Sequence, residues 1–105
     1  MTDPRARLLV DILLDTGARA DERDDAAGYL GRYPAPAVVD ALARIACSTD
    51  EDEVLVATAG ESIAEIWLAL GAVEPRILGS LAPPARAEVD SFLSAHAPQL
   101  LDNGS

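Results

Sequence analysis

The stretch EVLVATAGESIAEIWLALG, from Glu53 to Gly71, is the longest apolar-rich run in the chain, and it leaves few options for the fold around it. Ile63, Ile66, Trp67 and Leu70 recur at helical spacing, and Leu55, Val56 and Ala59 extend the same face toward its start. At about 1.5 Å of rise per residue, a helix here is close to 30 Å long, about the width of a small domain. Its far side carries only Glu61 and Glu65 as strongly polar positions, with Val54, Leu68 and Ala72 beside them. A helix apolar over most of its circumference needs neighbours on two sides, so the remaining helices are expected to stack on it.

The rest of the chain supplies such neighbours. Alanine and leucine dominate, half of the residues are apolar, and no segment alternates with period two over a strand's length, which predicts an all-α fold. Pro4 opens a first helix with Leu8, Leu9, Ile12 and Leu13 inward and Gly17 as its stop. A second, from about Asp21 to Arg32, turns Ala26, Ala27, Leu30 and Tyr29 inward and must end before Pro34. A third, from about Ala35 to Cys47, buries Val38, Val39, Leu42, Ile45 and Ala46. Ser48-Thr49-Asp50, followed by Asp52 and Glu53, reads as an N-cap with capping-box chemistry for the central helix. Glu74-Pro75 starts a short fifth helix reaching Leu81, with Ile77, Leu78 and Leu81 inward. A sixth runs from Pro83-Pro84 to near Pro98 over Val89, Phe92, Leu93 and His96. With 105 residues the chain is expected to form one domain over residues 1–101, and residues 102–105 a flexible tail.

The helices repeat a pattern. Pro36-x-Val38-Val39-x-x-Leu42 recurs as Pro75-x-Ile77-Leu78-x-x-Leu81, and Ala26-Ala27-x-x-Leu30-Gly31 has a looser echo in Ala59-Gly60-x-x-Ile63-Ala64. Paired small residues allow close approach between helices, and three helical hairpins stacked side by side cover the face that each alone leaves exposed. Asp21-Glu22-Arg23-x-x-Ala26-Ala27-x-x-Leu30-Gly31 resembles the short bacterial form of the HEAT-like repeats named after phycobilisome lyases, whose usual pattern differs only in having Val where Glu22 stands. The resemblance spans about residues 21–82 and implies a short α-solenoid. It also implies a polar contact between repeats made by the arginine of the motif; the second repeat has Val54-Leu55-Val56 where Asp-Val-Arg is expected, and so lacks it.

Charge narrows the function. The formal net charge is -10, with eight arginines and no lysine, which argues against nucleic acid or an anionic membrane as partner. Asp11 and Asp15 interrupt the first apolar run before it reaches signal-peptide length, and no stretch reaches the roughly 20 apolar residues of a membrane span. A soluble cytoplasmic protein is expected. Cys47 is the single cysteine, which excludes an internal disulfide and a cysteine-based zinc site.

Catalytic constellations are nearly absent, and neither a catalytic residue nor a cofactor is expected. His96 is the only histidine, and a dyad would have to pair it with Cys47, which has no nucleophile context. Asp50-Glu51-Asp52-Glu53 lacks the spaced ligands and central glycine of a calcium loop, so no metal site is expected there. The feature with the best claim to function is acidic: Asp21, Glu22, Asp24 and Asp25 open the second helix and Asp50 to Glu53 open the fourth, more charge than one helix end can use. Stacked hairpins would superpose the two clusters on one edge. The reading is a non-enzymatic protein-binding module that uses Asp24, Asp25, Asp50, Glu51, Asp52, Glu53, Glu61 and Glu65 against a basic protein surface. Its most concrete version is an immunity or antitoxin protein covering a cationic nuclease-type toxin. The alternative is an adaptor or assembly factor that binds through an apolar helical groove. Monomer and homodimer both fit, the dimer forming through Leu8, Leu9, Leu13 and Leu14 if the first helix does not cap the stack.

Overall fold

Asp3 accepts the amide of Arg5 at 2.7 Å and Pro4 takes the first helical position, where a missing N–H costs nothing. That start opens α1 (Pro4–Leu14), the first of seven helices in a computed structural model that describes residues 3–103. The others are α2 (Ala20–Leu30), α3 (Pro36–Ala46), α4 (Glu53–Leu70), α5 (Pro75–Ser80), α6 (Pro83–His96) and α7 (Pro98–Asn103), and no strand occurs among the described residues.

Boundaries follow local chemistry. α1 stops at Leu14 rather than near Gly17, because Asp15 turns extended and its own carboxylate accepts the Gly17 amide at 2.9 Å. Asp52 caps α4, accepting the amides of Val54 and Leu55 at 3.1 and 3.3 Å. The expected capping box does not form, since Leu55 occupies the third helical position where a Glu or Gln would be required. Ser48 instead accepts the Asp50 amide at 3.1 Å within the loop. Gly71 ends α4 in the left-handed region, φ 71 and ψ 24, and delivers its amide to the Trp67 carbonyl at 2.8 Å. The seventh helix is the main departure from expectation: Ala97, at φ -157, breaks α6, Pro98 restarts the chain, and Leu100 docks into the core. α7 runs into the segment expected as a tail, of which Gly104 and Ser105 lie outside the described residues.

α4 is the hub, packing on α6, α3 and α2. Leu55, Val56, Ala59, Ile63, Ile66 and Trp67 are all buried, as the helical spacing predicted, but Leu70 is 56% exposed because no helix covers the last turn on that side. The small residues of the echo motif set the distances. A Cβ on Gly60 would lie 2.7 Å from the backbone of Ala85, so α4 and α6 touch main chain to main chain. Arg23 meets Glu51, Asp24 meets Thr58, Ala27 meets Ser62 and Gly31 meets Glu65, so α2 and α4 lie side by side and run in the same direction. α1 packs against α2 and α3 against α4, whereas α5 makes no extensive contact with any helix. The radius of gyration, 12.6 Å, is close to the about 13 Å of a compact domain of this size.

Besides Leu70, three more inward expectations are reversed, at Leu8, Tyr29 and His96. Leu8 and Tyr29 are 61% and 54% exposed, on neighbouring helices, while Leu13 is fully buried and Ala6 takes the inward place that Leu8 was expected to fill. His96 is exposed and stacks on Phe92 with ring centroids 4.4 Å apart. Trp67 is buried with no hydrogen-bond partner for Nε1 among the described residues, so its stabilisation comes from packing alone.

Gly60→Ala should destabilise the domain despite the gain of about 1 kcal/mol in helix propensity, whereas Gly28→Ala, whose nearest neighbour is Thr58 at 3.9 Å, should realise that gain. Urea midpoints of the two variants should therefore move in opposite directions. Trp67→Ala should cost about 3–5 kcal/mol in the same titration.

Candidate functional site

Because α2 and α4 run in parallel, their first turns lie together, and with them the two acidic runs. At the junction sits Arg23, the one charged residue that is buried among those described. Its Nε donates to the Leu13 carbonyl at 3.0 Å, and its two terminal nitrogens donate to Glu51 at 3.0 and 2.8 Å. This fork ties the end of α1, the start of α2 and the loop before α4 into one unit. The hydrogen bonds from Arg23 hold the Glu51 carboxyl below its ordinary value, against the opposing effects of partial burial and the Asp52 charge.

The expected binding residues therefore divide by role. Glu51 is engaged by Arg23, Asp52 by the amides it caps, and Asp24 by the Thr58 hydroxyl at 2.6 Å. Asp25, Asp50 and Glu53 are exposed, and their carboxylates make no hydrogen bond or ion pair among the described residues; Glu22 is exposed as well. Asp21 is exposed but pairs with Arg19 at 2.9 Å, a contact of little energetic weight at that exposure. Glu61 and Glu65 do not join this edge. They lie about 12 Å and farther along α4 from Glu53, at 1.5 Å per residue, and Glu65 rests over Gly31 at the end of α2. Burial there, reinforced by the charge of Glu61 and offset in part by Arg32, pushes the Glu65 carboxyl up.

Beside the edge, between the start of α4 and the start of α6, a cleft of about 230 Å³ is lined by Ser48, Thr49, Glu51 and Glu53 together with the apolar Val56, Ala82, Pro83 and Pro84. A lining both acidic and apolar suits a long cationic side chain, whose stem packs while its head meets carboxylate. The α6 side of this cleft was not legible in the sequence, because it depends on the Ala82 amide reaching the Ala46 carbonyl at 2.9 Å.

The same contact separates Cys47 from His96. Cys47 follows Ala46 at the beginning of α6 and His96 closes that helix, about 20 Å away at 1.5 Å per residue. Burial also pushes the Cys47 thiol up, away from the thiolate form that a nucleophile needs. No group of three or more His, Cys, Asp or Glu side chains among the described residues is placed to hold a metal ion, and no described helix is long and apolar enough to cross a membrane.

Comparison of the chain with protein-family models, curated proteins and solved structures gives no match. The geometry of the acidic edge is thus the basis for a functional reading.

Arg23→Ala should cost about 3 kcal/mol, the lower end for a broken buried pair, since Glu51 can turn to water. The two glutamates give opposite pH signatures. Glu51, with its carboxyl lowered, contributes stability above its ordinary value of 4.5 that is lost as pH falls through the lowered one. Glu65, with its carboxyl raised, contributes stability below 4.5 that is lost as pH rises through the raised value. In urea titrations Glu65→Gln should therefore stabilise at pH 7 with the gain shrinking at pH 4, and Glu51→Gln should destabilise at pH 7 with the loss shrinking at low pH.

Proposed function

We propose that the chain is a non-enzymatic protein-binding module of the HEAT-like kind whose acidic edge engages a basic protein surface. The observation that carries the reading is the juxtaposition of the first turns of α2 and α4, joined by the partly buried Arg23–Glu51 pair, on which Asp25, Asp50 and Glu53 present exposed carboxylates. Like charges so placed repel one another, and a cationic partner relieves that repulsion. The pairings of α1 with α2 and of α3 with α4 suit the hairpin stack, and Arg23 makes a contact of the kind expected of the repeat's arginine. The small contact area of α5 makes the third unit an irregular one.

An immunity or antitoxin role against a cationic nuclease-type toxin is the most specific form of this proposal. An acidic surface complementary to a basic one accelerates encounter and selects against acidic competitors. The cleft beside Glu53 supplies a place for a single arginine or lysine of the partner to anchor.

The test is a charge-matched comparison. Asp25→Asn, Asp50→Asn and Glu53→Gln together should leave helical content unchanged and slow association with a basic protein, read by stopped flow over a salt series. Asp40→Asn, Glu74→Gln and Glu88→Gln remove the same charge from α3, the α4–α5 loop and α6 and should have a much smaller effect. Screening over about 10 Å at 0.1 M salt should flatten the difference between the two variants as salt rises. Equal slowing by both variants would show that only net charge matters and would remove the assignment of a site.

A further inference from the structure

α1 and α2 are antiparallel, since the Leu13 carbonyl near the end of α1 meets Arg23 near the start of α2. The beginning of α1 therefore lies beside the end of α2, at the other end of α2 from the acidic edge. A groove of about 350 Å³ opens there, lined by Arg5, Leu8 and Leu9 from α1 and by Tyr29, Arg32 and Tyr33 from α2 and the turn after it. Arg5, Leu8 and Leu9 have i, i+3, i+4 spacing on one face of α1, and Tyr29, Arg32 and Tyr33 line the groove with them.

Its chemistry runs against the acidic balance of the chain. The chain has 18 acidic residues against eight arginines, yet none of the six lining residues is acidic. Arg19, Arg23 and Arg86 are in ion pairs; Arg5 and Arg32 are exposed and form none among the described residues. The Arg32 charge reaches the Glu65 carboxyl without forming a salt bridge to it. Leu8 and Tyr29 are among the most exposed large apolar side chains of the protein, and both lie in this groove. Apolar walls with two exposed guanidinium groups, in no ion pair among the described residues, call for a carboxylate next to a large apolar side chain. A two-fold dimer across the groove would set the arginines of both copies against each other, so the complement belongs to a different surface.

We propose that this groove docks an acidic, apolar peptide segment of a second partner, with one Glu or Asp carboxylate held by Arg5 and Arg32 and an adjacent Leu- or Phe-sized side chain seated among Leu8, Leu9, Tyr29 and Tyr33. The volume is at the low end of the roughly 300–1,000 Å³ of ligand pockets, which suits one or two side chains. The protein then carries two docking surfaces of opposite sign at the two ends of α2.

The experiment uses end-blocked, fluorescein-labelled peptides with a Leu-Glu-Phe-Leu core, together with Gln and Lys versions of the Glu position, and reads fluorescence anisotropy against the full chain. The Glu peptide should bind saturably and about tenfold or more tighter than the Gln peptide. Arg5→Ala with Arg32→Ala should abolish that preference while leaving Gln-peptide binding unchanged, and Leu8→Ser should weaken both peptides. Arg5→Glu with Arg32→Glu should transfer the preference to the Lys peptide. All these positions except Leu9 and Tyr33 are exposed, so circular dichroism should be unaltered in the variants. Neutralising Asp25, Asp50 and Glu53 should leave peptide binding intact, which separates this site from the acidic edge. Equal binding of Glu and Gln peptides, or no saturable binding up to millimolar protein, would overturn the proposal. So would an oligomer in sedimentation that Leu8→Ser disperses, because a second copy of the chain would then cover the groove.

Discussion

A guanidinium group taken out of water must find acceptors for its donors, and Arg23, on α2, finds them on two other segments. It is bound by a backbone carbonyl of α1 and by both oxygens of Glu51, and it reaches them only if α1, α2 and the α3–α4 loop stand in one arrangement. Burial makes the geometry strict, because any slip would leave charge desolvated without a partner. The parallel course of α2 beside α4 follows from that anchor, and Ser62 on the Ala27 carbonyl and Thr58 on Asp24 extend it along the helices.

Close packing does the rest. α4 can serve three neighbours at once because it presents Gly60 and Ala59 where larger residues would hold the helices apart. The same device has a consequence at the α2–α4 contact, where Gly31 makes room for Glu65. A carboxylate settled against a helix end rather than in water raises the energy of its own ionised form, whereas Arg23 favours the ionised form of Glu51, so Glu65 and Glu51 respond to pH in opposite senses.

The surface is organised along α2. Its first turn contributes to a crowded acidic edge, and its last turn contributes an aromatic side chain and leads to Arg32 in a groove with no acid in it. Charge is thus separated by sign over the length of one helix, with carboxylates at its first turn and Arg32 just past its end.

Helix number and placement were largely legible in the sequence, because prolines, Gly71 and the 3.6-residue spacing act locally; the buried sets of α3 and α4 follow from that spacing almost residue for residue. Local signals also misled where two readings compete: Pro98 could end α6 or begin α7, and only the docking of Leu100 decides between them. Of the candidate site, the acidic residue types were readable, but their roles were not. Which carboxylates are engaged by a cap, a hydroxyl or an arginine, and which face water, depends on partners 28 and 34 residues away in the chain. The exposure of Leu8 and Tyr29 was hidden for the same reason: spacing shows that a residue shares a face with others, and only tertiary packing decides whether anything covers that face.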